Sequence, residues 1–463
     1  MLRASAKAEL AGVPSVSIIS TGFLKQAEVV TKGLGLPNMA IAEFPGVPMT
    51  WSTDELRKQV VDKLLPRIID GLTQAIAEPE EDGAAEPEPR DIVFRGAIDD
   101  MHEHYYARHW SDGLPVIPPT LARVDAFLRY TNRKPDEVLG VCPPANREAT
   151  VWNVAVNGVM AGCRPEYMPI LIAATEAVLD PVYKVEDAGS TPGWETLLIL
   201  SGSIARELGF NDGQGVMRMG RQPNSSVGRF MRLMLRNIGG FHHAPEGADK
   251  GSIGQSFLVV LPENEDWVRE MGWQPFSVDR GFHAGENIVT AMSVVAVSAP
   301  TYSGTEQAAE HMAIIADVMG QRTCGYWTAI GMVYSNWHPL LVLGPSIAKV
   351  FAKDGWSKDD IRRHLYENVK IPASQAERYA YHAGLTGFRV NNYVQQGLLP
   401  PAFGESDDPD RLVPVFHKPE WINIVVAGDW GRNQSKCYVN NHIQGPPVSR
   451  RVVLPTDWQT LHA

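Results

Sequence analysis

The first strong pattern in the chain is a short apolar, β-branched run over 15–21 (SVSIIST), which predicts a strand. Helical spacing follows at Phe23, Leu24, Ala27, Val30 and Leu34, closed by Gly35 and Pro37. A second strand is expected over 39–44. Ser52 and Glu55 have the spacing of a capping box, from which a long helix is expected to about Ala77. Strand, helix, strand, helix in this rhythm predicts a parallel, Rossmann-like layer. The segment is half the size of such a domain, so it is expected to complete itself against another chain or the rest of this one. Residues 78–90 (EPEEDGAAEPEPR) hold six acidic residues and three prolines, a solvated linker. The chain therefore divides into a module at 1–77, the linker at 78–90 and a large domain at 91–463 with one or two subdomains.

In the large domain, helices are expected at 121–131 with Thr120 as cap, 165–179, 225–238, 304–320, 345–353, 357–368 with Ser357 as cap, and 374–384. Strands are expected at 114–118, 195–201, 256–261, 288–297, 339–343 and 422–427. The alternation predicts an α/β fold around a mixed sheet, with α+β as the alternative. The acidic run 405–410 (ESDDPD) predicts a surface loop.

Composition narrows the function classes. The chain has 463 residues, net charge −11, 44% apolar and 21% charged residues. No apolar run reaches the roughly 18 residues of a membrane span, and the N-terminal stretch makes a poor signal peptide. No basic run points to nucleic acid. The cysteines Cys142, Cys163, Cys324 and Cys437 are scattered and form no CxxC, so a cytoplasmic protein without a disulfide framework is expected.

Two sets of strings carry a resemblance. Residues 16–49 (VSIISTGFLKQAEVVTKGLGLPNMAIAEFPGVPM) resemble the second half of the UGSC-motif (seleno)protein family, whose members carry a Sec/Cys-Gly-Ser-Cys motif shortly upstream. The strings DGLPVIPPT (112–120), DEVLGVCPP (136–144), VNGVMAGCRPEYMPILIAATEAVLDP (156–181), ARELGF (205–210), NSSVGRFMRLMLRNIGG (224–240), GWSKDDIRR (355–363) and INIVVAGDWGR (422–432) are similar to the long domain often fused to, or encoded with, that module. The resemblance implies thiol- or selenol-linked chemistry only through the redox motif. Residues 1–82 contain no cysteine, so the redox half lies on a separate small subunit or is lost. The family's thiol role transfers to no residue of this chain.

Candidate chemistry comes from local strings. Asp112 and Trp110 sit beside a turn stiffened by Pro115, Pro118 and Pro119, a rigid loop that holds a ligand or simply makes a corner. In AGCRPEY (161–167), Cys163 and Arg164 precede Pro165 at an expected helix start, where the dipole favours thiolate; burial as an inert core thiol is the alternative. Arg229, Arg232 and Arg236 share one helix face and bind an anion or pair with acids of another element. Asn224 and Ser225 at the start of that helix offer an anion cradle. His243 and His283 are candidate general acids or bases. His283 and Glu286, three residues apart, are the candidate metal ligands, though no zinc spacing is present. Arg432 follows an expected strand at a glycine turn, where α/β sheets bind ligands. No Walker, GxGxxG or GxSxG string identifies a cofactor or an esterase.

The residues thus predict an enzyme on a small anionic organic substrate, an oxidoreductase or lyase working by thiol- or redox-linked cleavage or transfer. Its site would combine Cys163, His243, His283, Asp112 and the arginine face. The alternatives are a non-redox lyase, hydratase or hydrolase with a metal, and a non-catalytic subunit of a larger complex. The expected assembly is a homo-oligomer or a complex with a small redox subunit.

Overall fold

β1 (Ser17–Ser20) and β2 (Ile41–Phe44) pair in parallel, joined by the helix Leu24–Gly33, as the N-terminal pattern predicts. The computed structural model describes all residues except 1, 49–50, 75–87, 189–192, 244–246, 250, 252, 255, 257, 324 and 463; of 321–323, 325–326 and 462 it describes the backbone alone. The Ser52–Glu55 capping box is present: Ser52 accepts from the Glu55 amide, and the Glu55 carboxylate accepts from the Ser52 amide. The helix it starts runs Thr53–Gln59, loosens into a π-turn at Val60–Leu64 and resumes at Leu65–Thr73. Pro66 explains the interruption, since it has no amide to donate and its ring crowds the carbonyl four residues back. Ala42, Phe44 and Leu64 form a small core of the module's own. The module docks on the rest of its chain: Arg3 pairs with Asp187 at 3.2 Å, and Asn146 donates to the Gly33 carbonyl at 2.8 Å. The expected linker falls mainly outside the described residues.

In the large domain, β3 (Val138–Cys142) and β4 (Arg147–Thr150) form a hairpin. The main sheet contains β5 (Glu195–Ser201), β6 (Leu261–Pro262), β7 (Ile288–Val297), β8 (Thr301–Tyr302) and β9 (Leu340–Leu343). A separate pair, β10 (Lys370–Pro372) and β11 (Leu412–Pro414), lies outside it. β12 (Asn423–Val426), β13 (Gln434–Asn440) and β14 (Val448–Arg451) complete the main sheet. Its order is β12-β9-β13-β7-β5-β6, with β14 added to β7 and β8 to β13. The β9–β12 and β5–β6 pairs are parallel and the others antiparallel, a mixed sheet with helices on it as expected.

The sheet is split along one edge of its longest strand. β7 pairs along its other edge with all seven residues of β5. The split edge is shared: β14 covers Ile288–Ala291, and β13 covers Val294–Val297. The chain leaves β13 at Asn440 and re-enters as β14 at Val448, so residues 441–447 fill the split.

Several expected elements change. Residues 114–118 form no strand but an extended loop, because Pro115 and Pro118, with Pro119 just beyond, leave too few donors for a ladder. Among the described residues of the strand expected at 256–261, pairing is found at Leu261 and extends to Pro262. The helix expected at 165–179 begins as a 3-10 turn, Pro165–Tyr167, and is α-helical over Met168–Leu179. That expected at 304–320 starts at Ala308 and passes into π-turns at Val318–Thr323. Thr120 makes no side-chain cap bond, whereas Ser357 makes a full capping box with Asp360. Among the described residues no helix is long and apolar enough to cross a membrane.

Candidate functional site

The helix Gln222–Asn237 organises the candidate residues. Its apolar side packs into the main core through Val227, Phe230, Leu233 and Met234, which leaves the arginines to find partners at its edges. Arg229 makes a two-pronged pair with Asp112, Nε to Oδ2 at 2.8 Å and Nη2 to Oδ1 at 2.7 Å. It also donates to the Pro115 carbonyl at 3.0 Å. The guanidinium beside Asp112 more than offsets the cost of burial and holds that carboxyl below its ordinary range. Two expected site residues are thus brought together, and each is committed to the other. Arg236 donates to the His109 carbonyl at 2.9 Å.

Arg232 leads to a different centre. It donates to Glu195 Oε1 at 2.6 Å and lies 3.4 Å from both Asp249 Oδ2 and His243 Nε2. His243 Nδ1 is 3.7 Å from Asp249, and the His243 ring is exposed. Glu195, the first residue of β5, is only 5% exposed. Burial pushes its carboxyl up to about 7, against the pull of Arg232 and with a push from Asp249. A buried carboxyl that changes charge near neutrality, wired to a cation and beside an open imidazole, can take up and release a proton. His242 is held neutral, pushed down to about 4 by burial and by Arg236, His109, Arg147 and His243 around it.

Cys163 lies beside Ser226 and Arg229 on the same helix edge, but its thiol is pushed up to about 12. This reverses the expected thiolate. Burial of the thiol dominates, outweighing the pull of Arg229 and the hydrogen bond with Ser226. Arg164 points outward, 3.5 Å from Glu166. Asn224 is fully buried with its amide in use: Nδ2 donates to the carbonyls of Asn211 and Val260, and Oδ1 accepts from the Asn211 amide. Ser225 Oγ accepts from the Gly220 amide at 3.2 Å. These two residues shape a loop and leave no open anion cradle.

The other candidates lie elsewhere. Both Glu286 oxygens are engaged, one by the His283 amide at 2.8 Å and one by Arg451 at 2.7 Å. Among the described residues no three His, Cys, Asp or Glu side chains are placed to hold a metal ion. Arg432 is exposed on the loop after β12, beside Asp429, near a cleft of about 400 Å³ lined by Gly344, Gly428 and Lys436. Cys142 and Cys437 are buried, and Cys324 lies outside the described residues.

The carboxyl end of β1 opens on a crevice of about 510 Å³, where Ser20, Phe23 and Gln26 face Arg3, Asp187 and Ile443. This is where parallel layers of this kind hold ligands. Residues 1–74 match the UGSC family model. The UGSC-like part therefore comprises the β1–β2 module and ends before every candidate side chain of the large domain. No curated protein and no solved structure matches the chain.

No local string singles out Glu195 or Asp249. The available signal was an acidic residue at the head of the apolar run 195–201, which becomes a strand with all seven residues buried.

Proposed function

We propose that the chain is an enzyme that transforms a small anionic organic molecule by general acid–base chemistry at the Glu195–Arg232–Asp249–His243 centre. The observation that carries this reading is the buried Glu195 carboxyl, hydrogen-bonded to Arg232 and pushed up to about 7. In this role Glu195 takes a proton from bound substrate, Arg232 steadies the resulting charge pattern, and exposed His243 exchanges protons with solvent. The cationic and imidazole groups Arg147, Arg236 and His109 around His242 favour an anion nearby. The chemistry is that of a non-redox lyase, hydratase or hydrolase, in the cytoplasm. The test is proton–deuterium exchange on a panel of small organic acids, followed by NMR. The wild type should catalyse exchange with an apparent pKa near 7, and Glu195→Gln should abolish it; full exchange by Glu195→Gln would sink the proposal.

A second reading keeps thiol- or redox-linked turnover, with Cys163 acting beside a redox subunit. It is favoured by the match of residues 1–74 to a family named for its redox motif. The exposed Val61, Leu65, Ile69 and Leu72, spaced along one helical stripe, offer a place for that subunit or for a second copy of the chain. Cys163→Ser with unchanged turnover, in protein that purifies alone, would remove this reading.

A further inference from the structure

Among the described residues, six of the twelve buried side-chain nitrogens and oxygens that lack a hydrogen-bond partner belong to Trp337, His417, Asn440, His442 and Gln444. All five residues are between 0% and 2% exposed. They gather at the sheet split, at the head of β9, ahead of β12 and in the turn after β13. Buried polar atoms are nearly always paired, so a cluster of atoms without a partner in the chain is a candidate binding centre.

Three of the free atoms are identifiable as donors. Asn440 Oδ1 accepts from the His338 amide at 2.8 Å, which fixes the side-chain amide and leaves Nδ2 as the free end. Gln444 Oε1 accepts from Ser293 Oγ and from Asn441 Nδ2, which leaves its Nε2 free. Trp337 Nε1 can only donate. His442 Nδ1 donates to the Asn336 carbonyl at 2.9 Å and the ring is also hydrogen-bonded to the Trp327 main chain, so in the neutral ring Nε2 is not one of the free donors. The Asn336 amide also holds the His442 and Gln444 carbonyls, which clamps the turn in place.

The surroundings specify charge and shape. Burial pushes His338 and His417 down to about 3 and His442 down to about 4, so all three rings are neutral at pH 7. Arg280 stands within electrostatic reach of His338, partly buried, and donates to the Pro447 carbonyl at 2.6 Å. Among the described residues no carboxylate lies at ion-pair distance from it; Asp279, which acts on it electrostatically, is paired with Lys358 and Arg362. Trp337 lies 4.5 Å from the His442 ring, and Trp421 flanks His338 and His417 at 4.5 and 5.6 Å. Ile443, between His442 and Gln444, lines the crevice against the N-terminal module.

We propose that this centre binds a small organic carboxylate, whose oxygens accept from Asn440 Nδ2, Gln444 Nε2 and Trp337 Nε1, with Arg280 as counter-charge. Three donors without acceptors call for an acceptor-rich group, and a guanidinium with no carboxylate at ion-pair distance calls for a negative one. The flanking aromatic rings favour a flat ligand. This site shares no side chain with the Glu195 centre and does not depend on it.

The test is calorimetric titration of the full chain with acetate, pyruvate and benzoate, and with acetamide and benzamide as neutral counterparts, alongside tryptophan fluorescence. At least one carboxylate should bind saturably, at one per chain, while the amides do not. Arg280→Gln should weaken it tenfold or more, and Trp337→Phe, which removes only the N–H and part of a ring, should weaken it with the fold intact by circular dichroism. Absence of saturable binding to the wild type overturns the proposal. So does binding that survives both substitutions, a crystal structure showing only ordered water among these side chains, or a stoichiometric metal ion in the purified protein.

Discussion

Glu195 is the residue on which the proposed chemistry turns, and its environment makes a stability prediction as well. Its folded value, about 7, lies above the ordinary 4.5, so the folded state holds a proton that the unfolded state has released between those two values. Stability should therefore fall as pH rises from about 4.5 to 7, by on the order of 3 kcal/mol for this one group. Glu195→Gln should flatten that fall, read as the pH dependence of urea midpoints; an unchanged slope would contradict the assignment. Asp112 poses the opposite case, since its two-pronged pair with Arg229 is largely shielded from water. Asp112→Ala strands the guanidinium and should cost roughly 3–5 kcal/mol, while the double change Asp112→Leu, Arg229→Met should recover much of it. Denaturant midpoints of the single and double variants check this. Both residues stand out in the sequence as unusual strings. That they meet does not, because 117 positions separate them and only the folded loop brings Asp112 under the helix.

The helix Gln222–Asn237 shows what periodicity reveals and what it hides. Its existence and its three arginines are legible, and so are β5 and β7, whose apolar runs match the expected limits at 195–201 and 288–297. The arginines' destinations are not legible, since the stretch from Arg229 to Arg236 passes several different neighbours. Nor is the helix's contact with the backbone before β6. A Cβ on Gly228 would stand 2.5 Å from the Leu258 carbonyl group and 2.7 Å from the Val259 nitrogen. Neither can yield as a flexible side chain would, and Val260 is held to the Asn224 carbonyl at 3.0 Å. Gly228→Ala should thus cost about 1–3 kcal/mol or more and displace Asn224 from its network. Denaturant unfolding checks the first, and an unchanged midpoint would mean that the two elements separate freely. The expected strand at 114–118 fails for a related reason: apolar content suggested a ladder, but prolines decide whether a ladder can be donated to.

At the scale of the molecule, a mixed sheet gathers His338, His417 and His442 from distant parts of the chain into one buried centre, with His242 half-buried elsewhere, among Arg236, His109 and Arg147. Nothing local marks these rings in the sequence, because each sits beside a strand end that looks like any other loop. Together they make a prediction about acid. Each folded value, about 3 to 4, lies below the ordinary 6.5, so unfolding takes up a proton from each as pH falls through that interval. Their contribution is fully present above about pH 6.5 and is lost progressively toward pH 3–4. One proton corresponds to about 1.4 kcal/mol per pH unit. His417 is the cleanest probe, since neither ring nitrogen has a partner to lose. His417→Asn should make the drop in stability between pH 6.5 and 4 shallower by up to that amount per unit, while stability at pH 8 changes only by the altered packing against Phe403 and Trp421. The measurement is the difference in denaturation midpoints between variant and wild type across that range. A constant difference would mean that the His417 ring takes up its proton as readily in the folded chain as in the unfolded one, and that the centre is more open to water than its burial implies.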